Sequence, residues 1–281
     1  MDKNLIKLYI FFTILLVVLV NVFPSIFPSI NSVINYTKTK ILSTFNNTNT
    51  KEINIYEDRA NIIIMFDDGW KSQYTVAYNY MSKKKLRGCV AVITKAIEQK
   101  NYMTKSDLYI LYNNNWDLLN HTYDHKNLNT ISEDEQSYEI ETANIWLEKN
   151  GFINPNKILI YPEGGYNLQT LKIMREKNYV SGRGVEEGFN SKKPTNLYEI
   201  KVKNVLYNTN PSEIVDWINY TIDNNLTLIL LFHRIEDDVD GSLYMYKREN
   251  FYEVIDYIDG KKNNLNVINY SEWIQTIINK D

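Results

Sequence analysis

Asn61-Ile62-Ile63-Ile64-Met65-Phe66-Asp67-Asp68-Gly69 decides how this chain is read. After Asn61 the run is wholly apolar, with β-branched residues at three successive positions, and it stops at two carboxylates and a glycine. An apolar run without polar alternation reads as a strand buried on both faces, as in a parallel sheet covered by helices. The pattern returns at Cys89 to Ile93, at Lys157-Ile158-Leu159-Ile160-Tyr161 and at Thr227-Leu228-Ile229-Leu230-Leu231-Phe232. Shorter strands are predicted at Asp117-Leu118-Leu119-Asn120, Tyr179-Val180-Ser181 and Asn266-Val267-Ile268.

Helical spacing fills the intervals. Gln73 to Lys84 places Val76, Tyr80 and Met81 near one face, and Ser132 to Lys149 opens on Ser132 with Glu135 in capping-box spacing. Further helices are predicted near Lys105 to Tyr112, Leu168 to Lys177, Pro211 to Asp223, Phe251 to Ile258 and Ser271 to Asn279. Repeated β-α units imply a parallel sheet with helical cover. About seven strands with no obvious reversal suit a barrel or an incomplete barrel, whose functional groups gather at the C-terminal strand ends.

The bulk numbers narrow the classes. A chain of 281 residues, 44% hydrophobic and 23% charged, buries a full core, and a net charge of -3 supplies no global field to attract nucleic acid. Cys89 is the one cysteine, which excludes an intrachain disulfide; it reads as a small buried strand residue. No charged side chain occurs between Lys7 and Lys38, and the segment from Leu8 onward stays apolar through Phe27. Roughly 20 helical residues cross a bilayer core, so residues 1–30 are expected to form a cytoplasmic stub and transmembrane anchor. Residues 31–57, rich in Asn, Ser and Thr, read as a polar linker, and 58–281 as one catalytic domain outside the cytoplasm. A cleavable signal is the competing reading, and would make the protein secreted.

The three histidines of the chain, His121, His125 and His233, each fall at or just after a predicted strand end. His121 and His125 are four residues apart, so one helical turn would set both imidazoles on one side to share a metal. A carboxylate suits the third position and leaves the ion open to water or substrate. Within Asp67-Asp68-Gly69, one carboxylate can ligate while the other stays free as a base.

With these residues the chain resembles the polysaccharide deacetylase family, the NodB-homology domain of carbohydrate esterases. Met65-Phe66-Asp67-Asp68-Gly69 is similar to its first motif, His121-Thr122-Tyr123-Asp124-His125 to its His-[Ser/Thr]-x-x-His motif, and Leu230-Leu231-Phe232-His233 to its late strand-end histidine motif. The resemblance implies a distorted (β/α) barrel that removes acetyl groups from sugar polymers. It implies Asp67 as general base, His233 as general acid, and Asp68, His121 and His125 as ligands of one divalent ion. Zn²⁺ is expected, and Co²⁺, Ni²⁺ or Mn²⁺ also suit such a set. The third motif departs from the family's Arg-x-Pro-x-Gly: Ile160 stands where the Arg would be, in Leu159-Ile160-Tyr161-Pro162-Glu163-Gly164. Tyr161, Pro162 and Gly164 are the expected oxyanion and substrate loop. Arg183 is the candidate replacement for the missing cation, against the reading of a solvated loop residue. The family's tryptophan on the catalytic side has no clear counterpart, and Trp217 reads as core.

The expected substrate is a glycan bearing acetyl groups, most economically N-acetylated amino sugars of a cell-surface or extracellular polysaccharide. The competing functions are an O-acetyl esterase or small-amide hydrolase of the same fold, and a non-catalytic carbohydrate-binding homologue.

Overall fold

The computed structural model describes residues 59–153, 156–237 and 241–279. The expected anchor and linker fall on residues outside this set. Among the described residues no helix is long and apolar enough to cross a membrane.

Strand β1 (Ala60–Phe66) is buried along its whole length, as its unbroken apolar run demands. It is followed by β2 (Cys89–Val92), β3 (Asp117–Asn120), β4 (Lys157–Ile160), β5 (Tyr179–Glu187), β6 (Ile200–Asn204) and β7 (Thr227–Phe232). Each pairs in parallel with the next, and β7 pairs back onto β1 from Asn61↔Thr227 to Phe66↔Phe232, closing a seven-stranded barrel. Alternating side chains divide the burial. Ile63, Met65, Cys89, Ala91, Ile229 and Leu231 fall in one cluster with Tyr270, Trp273 and Ile274. Ile62, Ile64, Phe66, Val90, Leu228, Leu230 and Phe232 belong to a second cluster with the helices. Cys89 is fully buried.

The helices are α1 (Lys105–Asn113), α2 (Glu133–Lys149), α3 (Leu168–Glu176), α4 (Pro211–Asp223), α5 (Arg248–Gly260) and α6 (Tyr270–Ile278). Ser132 and Glu135 form the predicted capping box at the start of α2. Residues 73–84 are helical but not a regular α-helix: Gln73–Tyr78 winds as a π turn, Asn79–Met81 as a short α turn and Ser82–Lys84 as a 3₁₀ turn. Trp217 packs against the helix-side core, half-buried.

Two strand assignments change. Asn266 and Val267 lie on β8 (Leu265–Val267), which pairs only with the first residues of β1, from Ala60↔Leu265 to Ile62↔Val267, outside the closed ring. The seventh barrel strand is β6, to which the sequence reading assigned no strand. Its buried Ile200 and Val202 alternate with Lys201 and Lys203, so it lacks the apolar run of its neighbours. The strand predicted as Tyr179-Val180-Ser181 continues through Glu187, its two internal glycines being strand residues rather than loop.

Candidate active site

Asp67 and His233 leave neighbouring strands at one level, because β1 and β7 end in register at Phe66↔Phe232 and the Asp67 N–H donates to the Phe232 carbonyl at 3.0 Å. Gln73, fully buried, ties the two exits together. Its side-chain amide donates both to the Asp67 carbonyl and, at 3.1 Å, to the His233 carbonyl. Beyond Asp67 the backbone turns through two left-handed residues, Asp68 at φ 80° and Gly69 at φ 85°. Glycine takes that conformation freely while Asp is strained by it, a strain that tightly determined sites sustain.

The turn aims Asp68 at both imidazoles. Its Oδ1 lies 3.5 Å from His121 Nε2 and 3.5 Å from His125 Nε2, and the three ligand atoms fall within 4.8 Å of one another. The His121 Nδ1 is 2.9 Å from the Ile160 carbonyl, which can only accept, so Nδ1 carries the proton and Nε2 presents its lone pair. The two histidines are not brought together by a helical turn. Residues 121–125 form a loop with Thr122 at φ 66° and His125 at φ 59°, pinned by bonds from Thr122 N–H to Asn120 Oδ1 (2.8 Å) and from His125 N–H to Thr122 Oγ1 (3.1 Å). The remaining Asp68 oxygen, Oδ2, accepts from Trp70 Nε1–H at 2.8 Å. Trp70 therefore stands on the catalytic side, where the sequence showed no tryptophan; its signal is the position immediately after Gly69.

Asp67 keeps Oδ2 3.8 Å from His121 Nε2 and turns its other oxygen to a cation. Arg183 is fully buried on β5 and donates from Nη2 to Asp67 Oδ1 and from Nη1 to the Gly184 carbonyl at 3.1 Å, so it is no solvated loop residue. Register carries it there: Arg183 pairs with Ile160, the residue that occupies the usual Arg place on β4. Burial alone would raise the Asp67 carboxyl, but Arg183, then His121 and His233, hold it below the ordinary range. Burial likewise opposes ionisation of Asp68, and whenever the facing imidazoles carry a proton, His121 above all, they overcome it and hold Asp68 below its usual value. Burial lowers His125 and His233, and the neighbouring carboxylates only partly offset this. The His233 Nδ1 is buried with no hydrogen-bond partner, as are Arg183 Nε and Gln73 Oε1.

The third-motif turn lies beside this pair. Tyr161 is fully buried, its hydroxyl donates to the Tyr198 carbonyl at 3.1 Å and its N–H to the Arg183 carbonyl at 2.9 Å. Tyr161 thus offers the site neither ring nor donor, contrary to its place in the expected oxyanion loop. Pro162 has no N–H, and the Gly164 N–H is committed to the Tyr161 carbonyl at 3.0 Å. Glu163, at φ 55°, keeps the remaining donor of the turn, and its carboxylate accepts from Asn127 Nδ2 at 2.9 Å.

Residues 55–182 match the family model described as polysaccharide deacetylase. A curated Bacillus subtilis relative, YxkH, which carries a polysaccharide deacetylase name, is 29% identical over 127 residues; the match covers 45% of this chain and 45% of that protein. The chain thus spans less than half the length of that relative. A Streptococcus pyogenes deacetylase, solved in complex with acetate, is 26% identical with a TM-score of 0.51, covering 55% of this chain and 68% of that one. The esterase domain of a xylanase from a termite hindgut metagenome shares the fold at a TM-score of 0.54 and 15% identity, covering 78% of this chain and 91% of that one. Motif order, a closed parallel barrel and these matches agree: residues 55–182 are similar to the polysaccharide deacetylase family, and the described barrel has the fold of its solved relatives.

Proposed function

We propose that this domain hydrolyses acetyl groups on a glycan with the help of one divalent ion, and that N-acetylated amino sugars of a surface or extracellular polysaccharide are its substrate. The observation that carries this reading is a division of labour between adjacent carboxylates. Asp68 faces two imidazole lone pairs, while Asp67, one residue away, is held ionised by Arg183. Pure binding requires no such reserved base. The similarity to a Streptococcus pyogenes deacetylase solved in complex with acetate supports the acetyl reading.

The residues present fit a metal. Two imidazoles and one carboxylate, their ligand atoms within 4.8 Å of one another and His121 Nδ1 engaged by the Ile160 carbonyl, form a three-ligand set that leaves positions open. Zn²⁺ suits this set best, though geometry of this type also takes Co²⁺, Ni²⁺ or Mn²⁺. When bound, the ion polarises the acetyl carbonyl and lowers the pKa of water. Asp67 accepts the proton of the attacking water, with Arg183 fixing which carboxylate oxygen is free. The turn after Tyr161 is assigned to the developing oxyanion, with the Glu163 N–H as the donor the turn does not itself use. His233 delivers a proton to the departing nitrogen, and Gln73 keeps its strand end level with Asp67.

Acetate release from N-acetylated and O-acetylated oligosaccharides, with and without a chelator, tests the reading. Chelator-sensitive release from the N-acetylated set is expected; metal-loaded protein that frees acetate from neither set contradicts it. We further propose that residues 1–30 anchor the domain outside the cytoplasm, since the uncharged stretch from Leu8 to Phe27 has the length and composition of a span. Protease accessibility of the domain on intact cells checks this.

A further inference from the structure

Ser82-Lys83-Lys84-Lys85-Leu86-Arg87 concentrates positive charge in the turn that leads into β2. The turn is fixed by a bond from Lys85 N–H to the Ser82 carbonyl at 3.0 Å. Three further bonds join it to other basic segments. Lys262 Nζ donates to the Lys84 carbonyl, Arg59 Nη1 to the Lys262 carbonyl at 3.2 Å, and Lys192 Nζ to the Arg59 carbonyl at 2.6 Å.

Topology puts these segments at one end of the barrel. Arg59 leads into β1, the Lys83–Arg87 turn into β2, and Lys261 and Lys262 into β8, and these strands are parallel. Asn190, two residues before Lys192, bridges to Thr227 at the start of β7. The patch therefore surrounds the N-terminal strand ends, opposite the ends that carry Asp67, His121 and His233.

Part of the charge is balanced. Lys84 pairs with Asp256 at 2.7 Å, Arg87 with Glu272 at 2.6 Å and Lys262 with Asp259 at 2.5 Å. Lys83 and Lys85 are exposed, Lys261 stands over the Tyr257 ring at 5.2 Å, and none of the three has an ion pair among the described residues. The chain as a whole carries a net charge of -3, so this surplus is local and the remaining surface is correspondingly acidic. A positive face on an acidic protein orients it against a negative surface.

The place of Arg59 says which surface. The stretch proposed above as a membrane anchor precedes Arg59 in the chain, so the polypeptide joins the domain inside the basic patch. We infer that this end of the barrel docks on anionic phospholipid headgroups. The catalytic strand ends then lie about 20 Å farther out, the length of β1. In that pose the site opens toward polymer beyond the headgroups and away from the lipid. The inference rests on the proposed anchoring for the nearness of a bilayer.

Full-length protein is reconstituted with phosphatidylcholine vesicles, with or without phosphatidylglycerol, and its flotation is measured. A fluorophore on Ser82→Cys, or on Asn129→Cys at the opposite strand ends, transfers energy to an acceptor on the headgroups; both positions are exposed, and native Cys89 is buried. Flotation with pure phosphatidylcholine reads the anchor alone. Transfer from position 82 should rise when phosphatidylglycerol is added, while transfer from position 129 stays low. The rise should vanish at about 1 M salt, where the Debye length falls to about 3 Å. Lys83→Glu combined with Lys85→Glu should lower the docked fraction at least about tenfold, with flotation on phosphatidylcholine and far-ultraviolet dichroism unchanged. Transfer from position 82 that ignores phosphatidylglycerol, or that survives both charge reversals, overturns the docking face. Binding of soluble polyphosphate with no response to phosphatidylglycerol also overturns it, in favour of an anionic polymer. Salt-sensitive flotation with phosphatidylglycerol vesicles only keeps the docking face and refutes the anchor.

Discussion

Arg183 on β5 and Asp67 at the end of β1 form an ion pair across the barrel mouth, with 0% and 3% of their surfaces exposed. The pair restores, from a neighbouring strand, a cation that the third motif lacks at Ile160. A charge left behind when either partner is removed has little solvent to compensate it.

That burial gives the first prediction. Arg183→Met leaves Asp67 ionised and unpaired, which costs about 3–5 kcal/mol for a buried pair broken on one side. Turnover should collapse with it. Asp67→Asn combined with Arg183→Met should recover most of the stability and none of the activity. Chemical denaturation of the three variants checks this, and additive losses would count against the pair.

Gln73 offers a second test. Gln73→Leu removes the amide that joins the Asp67 and His233 carbonyls, leaving buried acceptors short of a partner at about 1–3 kcal/mol. Turnover should fall more than the substrate KM rises, since the amide touches no substrate. A variant with wild-type stability and turnover would show that the two strand ends hold position without it.

Asp67 and Asp68 are adjacent but predicted to fail differently. Asp67→Asn should keep a bound divalent ion and lose turnover by at least about 100-fold, the lower range for a general base. His121→Ala should lose both together. Metal content after gel filtration and acetate release, measured on the same samples, separate the two. Full activity in metal-loaded Asp67→Asn removes it as the base.

Far from the site, Asp117 accepts from Ser271 N–H (2.8 Å) and Ser271 Oγ–H (2.6 Å), tying β3 to α6. Burial, with Glu272 nearby, pushes Asp117 up to about 6 despite these bonds. An unfolded Asp titrates near ~3.9, so the fold favours the protonated form. The resulting stabilisation is complete below about pH 4 and is lost as pH rises through about 6, on the order of 2–3 kcal/mol. Wild type should lose Tm relative to Asp117→Asn across that window; parallel Tm curves for the two would contradict the assignment.

The strand ends were legible because each chemical group sits directly beside an apolar run: Asp67 and Asp68 after Phe66, His121 after Asn120, His233 after Phe232. Local adjacency of this kind survives in one dimension. Trp70 and Gln73 did not stand out, since what makes them functional is the left-handed turn at Asp68 and the π winding that follows, and neither leaves a periodic trace. β6 escaped because Lys201 and Lys203 interrupt its apolar residues, while the free-standing run ending at Val267 looked like a barrel strand. Arg183 lay between two glycines that read as loop. Gly182 is there for a packing reason instead: a Cβ on it would come within 1.8 Å of the Tyr161 hydroxyl.

The proposed chemistry requires Asp68, His121 and His125 to hold one divalent ion between them. Calorimetric titration of Zn²⁺ into chelator-stripped wild type and Asp68→Asn protein tests it most directly. One ion should be taken up per wild-type chain, with no stoichiometric uptake by Asp68→Asn. Wild-type protein that binds no ion, or an Asp68→Asn variant that binds it equally well, would contradict it.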